Sequence, residues 1–301
     1  MQDIDFIRAS SIGHAVALLQ DGSDSRLLAG GQTLLAAMKL GLAAPARLID
    51  LSRLPALQQV QAGSSGLYTV GAMATHAALA RHPGLGQHLP GLASLAAGIA
   101  DAQVRERGTV GGSCANADPS ACWPAGLLAL GADLQTDRRR IAVDAFFTGV
   151  FGTALAPDEV LCHIHLPRPL RMAYVKFEQP ASHFALVGAA VAQFGAAVRV
   201  ALTGTATGVL RLPAFEHALT RRFDLAALAG LRVDPALMGS DLHAAADYRA
   251  HLAAVAVRRA VLAALGIPGT PATPAKPATP STLCSPSTRP GDPPCCATAA
   301  P

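Results

Sequence analysis

Charged and aromatic residues are both scarce in this sequence, and that scarcity excludes one class of partner. Asp, Glu, Lys and Arg make up 15% of the 301 residues, aromatic residues make up 4%, and the formal net charge is +4. A nucleic-acid-binding surface usually carries a stronger positive charge, with basic runs interleaved with aromatics. The basic cluster at residues 138–140 is better interpreted as a solvated turn. We therefore expect no nucleic-acid partner.

Cysteine is also scarce, and its spacing indicates no metal centre. Of the six cysteines, Cys284, Cys295 and Cys296 stand close to the carboxyl end, and no CxxC pair occurs. The three that remain are too few for the four thiolates of a [2Fe–2S] cluster. The pattern predicts neither a zinc site nor a disulfide framework, and it favours a reducing compartment.

Long apolar runs are missing as well. None reaches the roughly 18 residues that a membrane-spanning helix needs. The first residues, MQDIDFIRAS, include acidic side chains and lack the apolar segment of a signal peptide. We therefore expect no membrane span and a cytoplasmic location.

The residues that are abundant indicate a globular chain. Hydrophobic residues account for 51% of the sequence, many of them Ala, which is typical of closely packed helices. Chain length alone predicts about two domains. Apolar periodicity predicts strands at 26–28, 47–51, 67–70, 132–147 and 160–166, and helices at 11–19, 33–40, 75–81, 91–102 and 119–130.

A second unit is predicted beyond Pro167 and Pro169, which end the last of these strands. Its elements are a strand at 173–177, a hairpin of 186–194 and 197–203 about Gly195, and helices at 213–220 and 242–265. From residue 268 to residue 280 prolines recur at every third position, a pattern typical of polyproline II. We expect a disordered tail there, without chemistry of its own.

Two glycine pairs are the strongest functional signal. Gly30-Gly31 stands between a predicted strand and a predicted helix, and Gly111-Gly112 stands in the stretch RERGTVGGSCANADPSACWP, residues 105–124. Turns of this kind bring backbone N–H groups close to a phosphate. Either pair alone is a common turn signal. Together they are suited to grip the two phosphates of a dinucleotide from both sides.

Four segments carry a family resemblance, and in this order they span nearly all of residues 3–266. They are AGGQTLLAAMKLGLAAPARLIDL, RGTVGGSCANADPSACWPA, FFTGVFGTALAPDEVLCHIHLP and KFEQPASHFALVGAAV. The chain resembles the medium, FAD-binding subunit of the molybdenum hydroxylases, of the carbon monoxide dehydrogenase and xanthine dehydrogenase type.

The resemblance implies an α+β fold in three parts. Residues 1–168 would form a two-subdomain FAD-binding domain of the vanillyl-alcohol-oxidase (PCMH) type. Residues 169–267 would form a small domain of three-stranded antiparallel sheet plus a helical bundle, and residues 268–301 a Pro/Thr/Ala-rich disordered tail.

The resemblance also implies an oxidoreductase subunit that needs partners. It would take electrons from an iron–sulfur ([2Fe–2S]) small subunit, which draws them from a molybdenum-cofactor large subunit, and pass them to an external acceptor. The assembly would be a dimer of heterotrimers. The cofactor would be FAD, with no catalytic acid or base and no metal ligand in this chain.

A set of cofactor-binding positions follows from matching the motifs. Backbone amides and hydroxyls of the two glycine segments would bind the phosphates, Asp118 would lie near the cofactor, and Leu161 and Cys162 would line it. Lys176 would either place positive charge near the pyrimidine edge of the flavin or be a surface charge. The full set is Ala29, Gly30, Gly31, Gln32, Thr33, Thr109, Val110, Gly111, Gly112, Ser113, Asp118, Cys122, Leu161, Cys162 and Lys176.

The sequence departs from the family pattern at three places and leaves alternatives open. Ser113 stands for the usual Asn, Cys122 for an acid, and residues 178–183 for a basic stretch. These departures motivate a second hypothesis, a non-catalytic assembly subunit that has lost FAD. A third, a stand-alone flavin oxidase, would need acid–base groups over the flavin, for which the sequence offers no candidate.

Other residues have a structural and a functional interpretation. Arg105 and Arg107 are either a solvated helix end or phosphate ligands. His163 and His165 are either a metal pair or polar residues on one face of a strand. Without a third ligand nearby, the metal interpretation is the weaker.

Overall fold

A computed structural model describes residues 4–63 and 66–267 of the chain. Its first elements are β1 (Asp5–Arg8), α1 (Ile12–Gln20), β2 (Ser25–Leu28), α2 (Leu34–Lys39), β3 (Arg47–Asp50), β4 (Val60–Ala62), β5 (Tyr68–Gly71), α3 (His76–Arg81), α4 (Pro83–His88), α5 (Pro90–Ala97), α6 (Ala102–Arg107), α7 (Val110–Asn116) and α8 (Cys122–Leu130). The elements that follow are β6 (Asp133–Thr136), β7 (Arg140–Ala142), α9 (Val143–Phe146), β8 (Phe147–Gly149), β9 (Gly152–Thr153), β10 (Leu161–Leu166), β11 (Arg171–Glu178), β12 (Ala185–Phe194), β13 (Ala197–Thr205), β14 (Gly208–Arg211), α10 (Pro213–Arg221) and α11 (Ala246–Ala264). The predicted tail at 268–301 lies outside the described residues.

The amino-terminal sheet is small and parallel. Its strand order is β1-β3-β2, and α1 and α2 provide the crossovers that parallel strands require. Helix α1 begins after Ser11 because the Ser11 hydroxyl accepts a hydrogen bond from the amide of His14 at 3.0 Å. The strand–turn–helix pattern predicted around Gly30 and Gly31 is confirmed here.

The central sheet is antiparallel and combines distant parts of the chain. Its order is β4-β5-β10-β6-β7, so the last long strand of this unit lies in the middle. Helices α3, α4, α5, α7 and α8 contribute many of the buried apolar residues of this unit. The separate hairpin β8-β9 lies beside it.

Two helices of the central unit differ from the sequence prediction. The single helix expected at 91–102 is two helices, because Ala100 takes a left-handed conformation with φ 43° and Asp101 then caps α6 through a bond from the amide of Val104 at 2.8 Å. Helix α8 begins at Cys122 rather than at Pro119. Asp118 does not cap it, since its carboxylate accepts from the amide of Ser120 at 2.8 Å and closes a turn instead.

The carboxy-terminal sheet has four antiparallel strands, not the three expected. The order β11-β12-β13-β14 is a meander, and the hairpin about Gly195 is confirmed. The extra strand β14 returns after Gly208, whose φ of 102° suits only glycine, and pairs with β13. Its short apolar run carries too little periodicity to be recognised. Helices α10 and α11 cover this sheet, and α11 starts at Ala246 rather than at 242.

Helix α8 joins the central unit to the carboxy-terminal sheet. All of its residues are buried, and it packs against α5 on one side and against β12 and β13 on another. The hydroxyl of Thr203 on β13 donates towards the carbonyls of Pro119 and Ala121, at 2.6 and 2.8 Å. Within residues 4–63 and 66–267, no helix is both long and apolar enough to cross a bilayer.

Candidate functional site

A cavity of about 620 Å³ lies where the three sheets meet. One wall is the turn between β2 and α2, at residues 29–34. The opposite wall is α7 with the turn that follows it, and residues 182–184 from the loop before β12 close a third side. All three units therefore contribute to one site.

The two glycine segments face one another across a short gap. A Cβ atom placed on Gly30 would overlap the carbonyl oxygen of Arg107 and lie 2.8 Å from the Cα of Gly108. A Cβ on Gly112 would come within 3.4 Å of the Cβ of Ala29. Only glycine at position 30 therefore allows this approach without moving backbone atoms.

The first glycine turn exposes a run of unpaired backbone donors to the cavity. Within residues 4–63 and 66–267, no acceptor pairs with the amides of Gly30, Gly31, Gln32, Thr33 and Leu34. Gly31 has φ 73°, and all five of these residues line the cavity. Unpaired donors are costly unless water or a ligand satisfies them, and successive N–H groups of this kind form an anion-binding concavity.

The second glycine segment is a helix, and its amides are not free as expected. The amide of Val110 donates to the carbonyl of Ala74 at 3.1 Å, and that of Gly111 donates to the carbonyl of Ala72 at 2.8 Å. The amide of Gly112 donates to the hydroxyl of Thr109 at 3.1 Å. The prediction of a loop of free amides at 109–113 is therefore wrong. This segment offers close backbone approach and hydroxyl groups instead.

Most of the predicted cofactor-binding residues line this one cavity. They are Ala29, Gly30, Gly31, Gln32, Thr33, Thr109, Gly111, Gly112, Ser113, Asp118, Cys122 and Leu161. Burial raises the pKa of the Cys122 thiol, so this side chain is a small neutral group on the cavity wall. These residues come from three separate segments of the sequence, and the fold brings them together around one cavity.

Val110, Cys162 and Lys176 are not on the cavity wall. Val110 is buried in the core of the central unit. Cys162 follows Leu161 on β10, and successive strand residues point to opposite faces, so only Leu161 reaches the cavity. The Cys162 thiol donates to the carbonyl of Val160 at 3.3 Å, and burial raises its pKa to about 12.

Lys176 is buried beneath the loop that closes the cavity. Its side chain is 1% exposed, which contradicts the interpretation as a surface charge. Its Nζ donates to the carbonyl of His183 at 2.5 Å and lies 3.3 Å from the carboxylate of Glu178. Since His183 has φ 57° and lines the cavity, Lys176 holds this strained loop in place.

Glu159 is a cavity residue that the sequence reading did not identify. Its buried carboxylate accepts from the Arg139 guanidinium at 2.8 Å and from the Thr136 hydroxyl at 2.7 Å. The Arg139 hydrogen bond lowers the pKa of Glu159 to about 2. The group is a fixed anion in a structural network rather than an acid–base catalyst.

His76 was also missed, because its significance depends on a partner 47 residues away. Its Nδ1 accepts a hydrogen bond from the Trp123 indole at 3.0 Å. Burial, and secondarily the charge of Arg105, lowers the pKa of His76 to about 4. A histidine directly after Thr75, which caps α3, was the available signal.

Two further sequence hypotheses can be placed. Arg105 donates to the carbonyls of Ile99 and Ala100, at 2.8 and 2.7 Å, so it fixes the backbone before α6 instead of being a solvated helix end. His165 contacts Thr69, Gln135 and Arg140 on neighbouring strands. In the part of the chain that the structure describes, no three His, Cys, Asp or Glu side chains are grouped to hold a metal ion.

Taken together, a glycine turn of unpaired amides in a cavity between three α/β units defines a protein that binds an anionic nucleotide cofactor. Residues 2–169 match the family of the FAD binding domain in molybdopterin dehydrogenase. The chain belongs to this family, so it is an FAD-binding component of an oxidoreductase, as the sequence motifs predicted.

Relatives match over almost their whole length. The nicotine 6-hydroxylase medium subunit of Paenarthrobacter nicotinovorans is 34% identical, over 87% of this chain and 97% of that protein. The carbon monoxide dehydrogenase medium chain of Hydrogenophaga pseudoflava is 36% identical, over 84% of this chain and 94% of that one. The solved structure of carbon monoxide dehydrogenase from Hydrogenophaga pseudoflava superposes with a TM-score of 0.81 at 36% identity, covering 88% of this chain and 98% of the matched chain.

Proposed function

We propose that this chain holds FAD non-covalently in the cavity between its three sheets and relays electrons within a molybdenum hydroxylase complex. The observation that carries the proposal is the run of unpaired amides from Gly30 to Leu34, which belong to residues that line that cavity. A dinucleotide pyrophosphate supplies acceptor oxygens for such donors. The close approach of Gly30 to Gly108 narrows the cavity beside these amides.

The residues of the chain would divide the work of binding. The amides of residues 30–34 would hold the phosphates, and the hydroxyls of Thr109 and Ser113 line the wall opposite them. Leu161 and the loop at 182–184 provide further walls of the cavity. Bound FAD would supply two-electron and one-electron redox chemistry, while the protein supplies position and electrostatics.

The titratable groups on the cavity wall are poorly suited to act on an organic substrate. Glu159 is ion-paired with Arg139, and His76 accepts from the Trp123 indole. Asp118 accepts from the amide of Ser120, and His183 Nδ1 lies 3.3 Å from the carboxylate of Glu178. A stand-alone oxidase would need a free acid or base beside the reacting atoms. The arrangement supports electron relay instead.

The relay needs partners, and this part of the proposal rests on the family. Electrons would arrive from a [2Fe–2S] small subunit, which takes them from a molybdenum-cofactor large subunit, and would leave to an external acceptor. We place the assembly in the cytoplasm as a dimer of heterotrimers. Residues 1–168 would be the FAD domain, of the vanillyl-alcohol-oxidase type, and residues 169–267 the second domain.

The alternative of a subunit that has lost FAD is less well supported by the geometry. Ser113 and Cys122, the departures that suggested it, are small and leave the cavity open. The unpaired amides of the first turn are retained and would otherwise face water alone.

The test is the cofactor content and partner set of the native protein. Purification under native conditions should give a yellow protein that releases FAD on denaturation and co-purifies with an iron–sulfur and a molybdenum subunit. Adding FAD to the cofactor-free protein should quench the fluorescence of Trp123, the only tryptophan of the chain. A colourless protein whose Trp123 emission ignores added FAD would disprove the proposal.

A further inference from the structure

The ring of His76 is held in one protonation state by its neighbour. The two rings pack at a centroid distance of 6.1 Å, and the Trp123 indole N–H donates to His76 Nδ1 at 3.0 Å. An indole nitrogen can only donate, so Nδ1 must be an unprotonated acceptor. Because burial and the Arg105 charge lower the pKa of His76 to about 4, the ring is neutral near pH 7. The remaining proton is therefore on Nε2.

That Nε2–H group is an unused donor at the cavity wall. No described residue pairs with it, and His76 lines the cavity. In the described part of the chain, the side-chain atoms that are both fully buried and unpartnered are Ser25 Oγ and Tyr174 OH. Nε2 is also unpartnered but is not one of these atoms. It is therefore not fully buried. A Cβ on Gly108 would lie 2.8 Å from Nε2, and the glycine keeps this approach free.

The position of this donor relates it to the glycine turns. The amide of His76 donates to the carbonyl of Gly108 at 2.9 Å, and Gly108 is the residue against which Gly30 packs. The donor therefore lies beside the point where the two glycine segments meet. A ligand atom bound at this place would accept a hydrogen bond from a neutral N–H group, which adds no charge to the site.

We infer that His76 Nε2–H donates a hydrogen bond to an oxygen of the bound dinucleotide, and that Trp123 acts as a positioning residue that fixes the donating tautomer. The inference rests on the proposed function, since it assigns a ligand contact within the same cavity. Phosphate oxygens and the oxygens of the ribityl chain or flavin ring share the required acceptor chemistry. Competition titrations with ADP, which carries phosphates but no flavin, and with riboflavin, which carries the ribityl chain and flavin but no phosphate, separate these sources.

The experiment compares two replacements of His76 in the full chain stripped of cofactor. His76→Phe keeps an aromatic ring beside Trp123 and removes both the Nε2 donor and the Nδ1 acceptor of the indole. His76→Gln loses the ring and keeps an N–H donor and an acceptor oxygen. We expect His76→Phe to weaken FAD binding roughly tenfold and His76→Gln to weaken it less, because one charge-free hydrogen bond to a ligand is lost only in the first. The affinity is measured from flavin fluorescence.

The outcomes separate this inference from the proposed function. A wild-type protein that binds no FAD would overturn both. Wild-type affinity in His76→Phe, with a loss in His76→Gln, would show that the ring only packs, and it would overturn the inference while leaving FAD binding intact.

A second measurement does not depend on variants that fold. In wild-type protein, ring ¹⁵N spectra between pH 6 and 8 should show Nε2 protonated and Nδ1 not, with the Nε2 signal shifting when FAD is added. A protonated Nδ1, or an Nε2 signal that FAD leaves unchanged, would also overturn the inference. Whichever of ADP or riboflavin loses affinity in His76→Phe identifies the part of the cofactor that accepts the bond.

Discussion

At the scale of single residues, Gly30 controls the distance between the two glycine segments. Its Cα faces the backbone of Arg107 and Gly108 with no space for a side chain. Because the obstructing atoms belong to the backbone, they cannot rotate away as a side chain would. The close approach of the two glycine segments therefore depends on the absence of a side-chain methyl group at position 30.

The first prediction is that Gly30→Ala increases the distance between the two glycine segments. The added Cβ should force the turn away from Gly108, lower FAD affinity by at least tenfold and destabilise the fold by about 1–3 kcal/mol. Gly86→Ala is the matched control, since an exposed Cβ there meets nothing within 4 Å and improves a helix position. Flavin fluorescence titration and thermal unfolding measure the two effects. Unchanged FAD affinity in Gly30→Ala would argue that the cofactor lies elsewhere.

Glu159 gives the fold an acid-sensitive component. Its pKa is about 2, below the ordinary 4.5, so its stabilising effect is complete above pH 4.5 and is lost as the pH falls towards 2. We expect a loss of about 2 kcal/mol over that window, after allowance for the half-exposed Arg139. Urea unfolding at a series of pH values measures it.

The Glu159→Gln variant tests the assignment of this acid sensitivity. It should be less stable at pH 7 and should lose less stability on acidification. Glu106→Gln, which removes an exposed partner of Arg81, is the control and should behave as wild type. Equal acid sensitivity in wild type and Glu159→Gln would assign the effect to other carboxylates.

At the scale of elements, the loop at 179–184 provides a wall of the cavity, and a buried side chain of the sheet beneath it holds the loop. Lys176 on β11 reaches the carbonyl of His183, and the carboxylate of Glu178 lies 3.3 Å from both Lys176 Nζ and His183 Nδ1. The buried ammonium group of Lys176 thus joins the loop to the sheet beneath it, in addition to the hydrogen bonds within the loop.

The corresponding prediction distinguishes anchoring from flavin tuning. Lys176→Met should free the loop, weaken FAD binding several-fold and increase proteolysis at 179–184, while the midpoint potential of the bound flavin stays the same. Lys39→Met, which removes an exposed lysine from α2, controls for net charge. A shifted potential with unchanged affinity would instead support the cation role that the family resemblance implies.

The sequence predicted elements better than it predicted what they contact. The strand, glycine turn and helix at residues 25–39 follow from local patterns, and so does the hairpin about Gly195. Helix α7 was missed because hydrogen bonds from Val110 and Gly111 to a distant segment stabilise it. The bond between His76 and Trp123 joins positions 47 residues apart, and no local pattern encodes it. Motifs identified the walls of the cavity, while long-range pairing decided which side chains reach it.

At the scale of the whole molecule, the central unit and the carboxy-terminal sheet are linked closely enough to unfold together. Besides α8, the Thr203 hydroxyl and the amide of Gly204 bind the carbonyl of Pro119, and Arg199 binds both oxygens of Asp144. Links of this kind make separate unfolding of the carboxy-terminal sheet unfavourable.

We therefore predict one cooperative unfolding transition. Trp123 fluorescence, which reports on the central unit, and far-ultraviolet circular dichroism, which reports on all units, should give superimposable curves in guanidinium chloride. Thr203→Val should lower the midpoint by the equivalent of ~1–3 kcal/mol, because it leaves the carbonyl of Ala121 without its hydroxyl donor. Thr207→Val, on an exposed turn, should not. Two separate transitions in the wild type would show that the links are weak.

The complete burial of α8 also limits how this architecture can be divided or recombined. A protein expressed only to Leu166 would lose the strands β12 and β13 that cover one side of this helix, leaving Leu128 and its neighbours in water. Such a fragment should aggregate unless those positions are made polar. Any lineage or design that exchanges the carboxy-terminal module must therefore supply a new apolar surface shaped to the same helix.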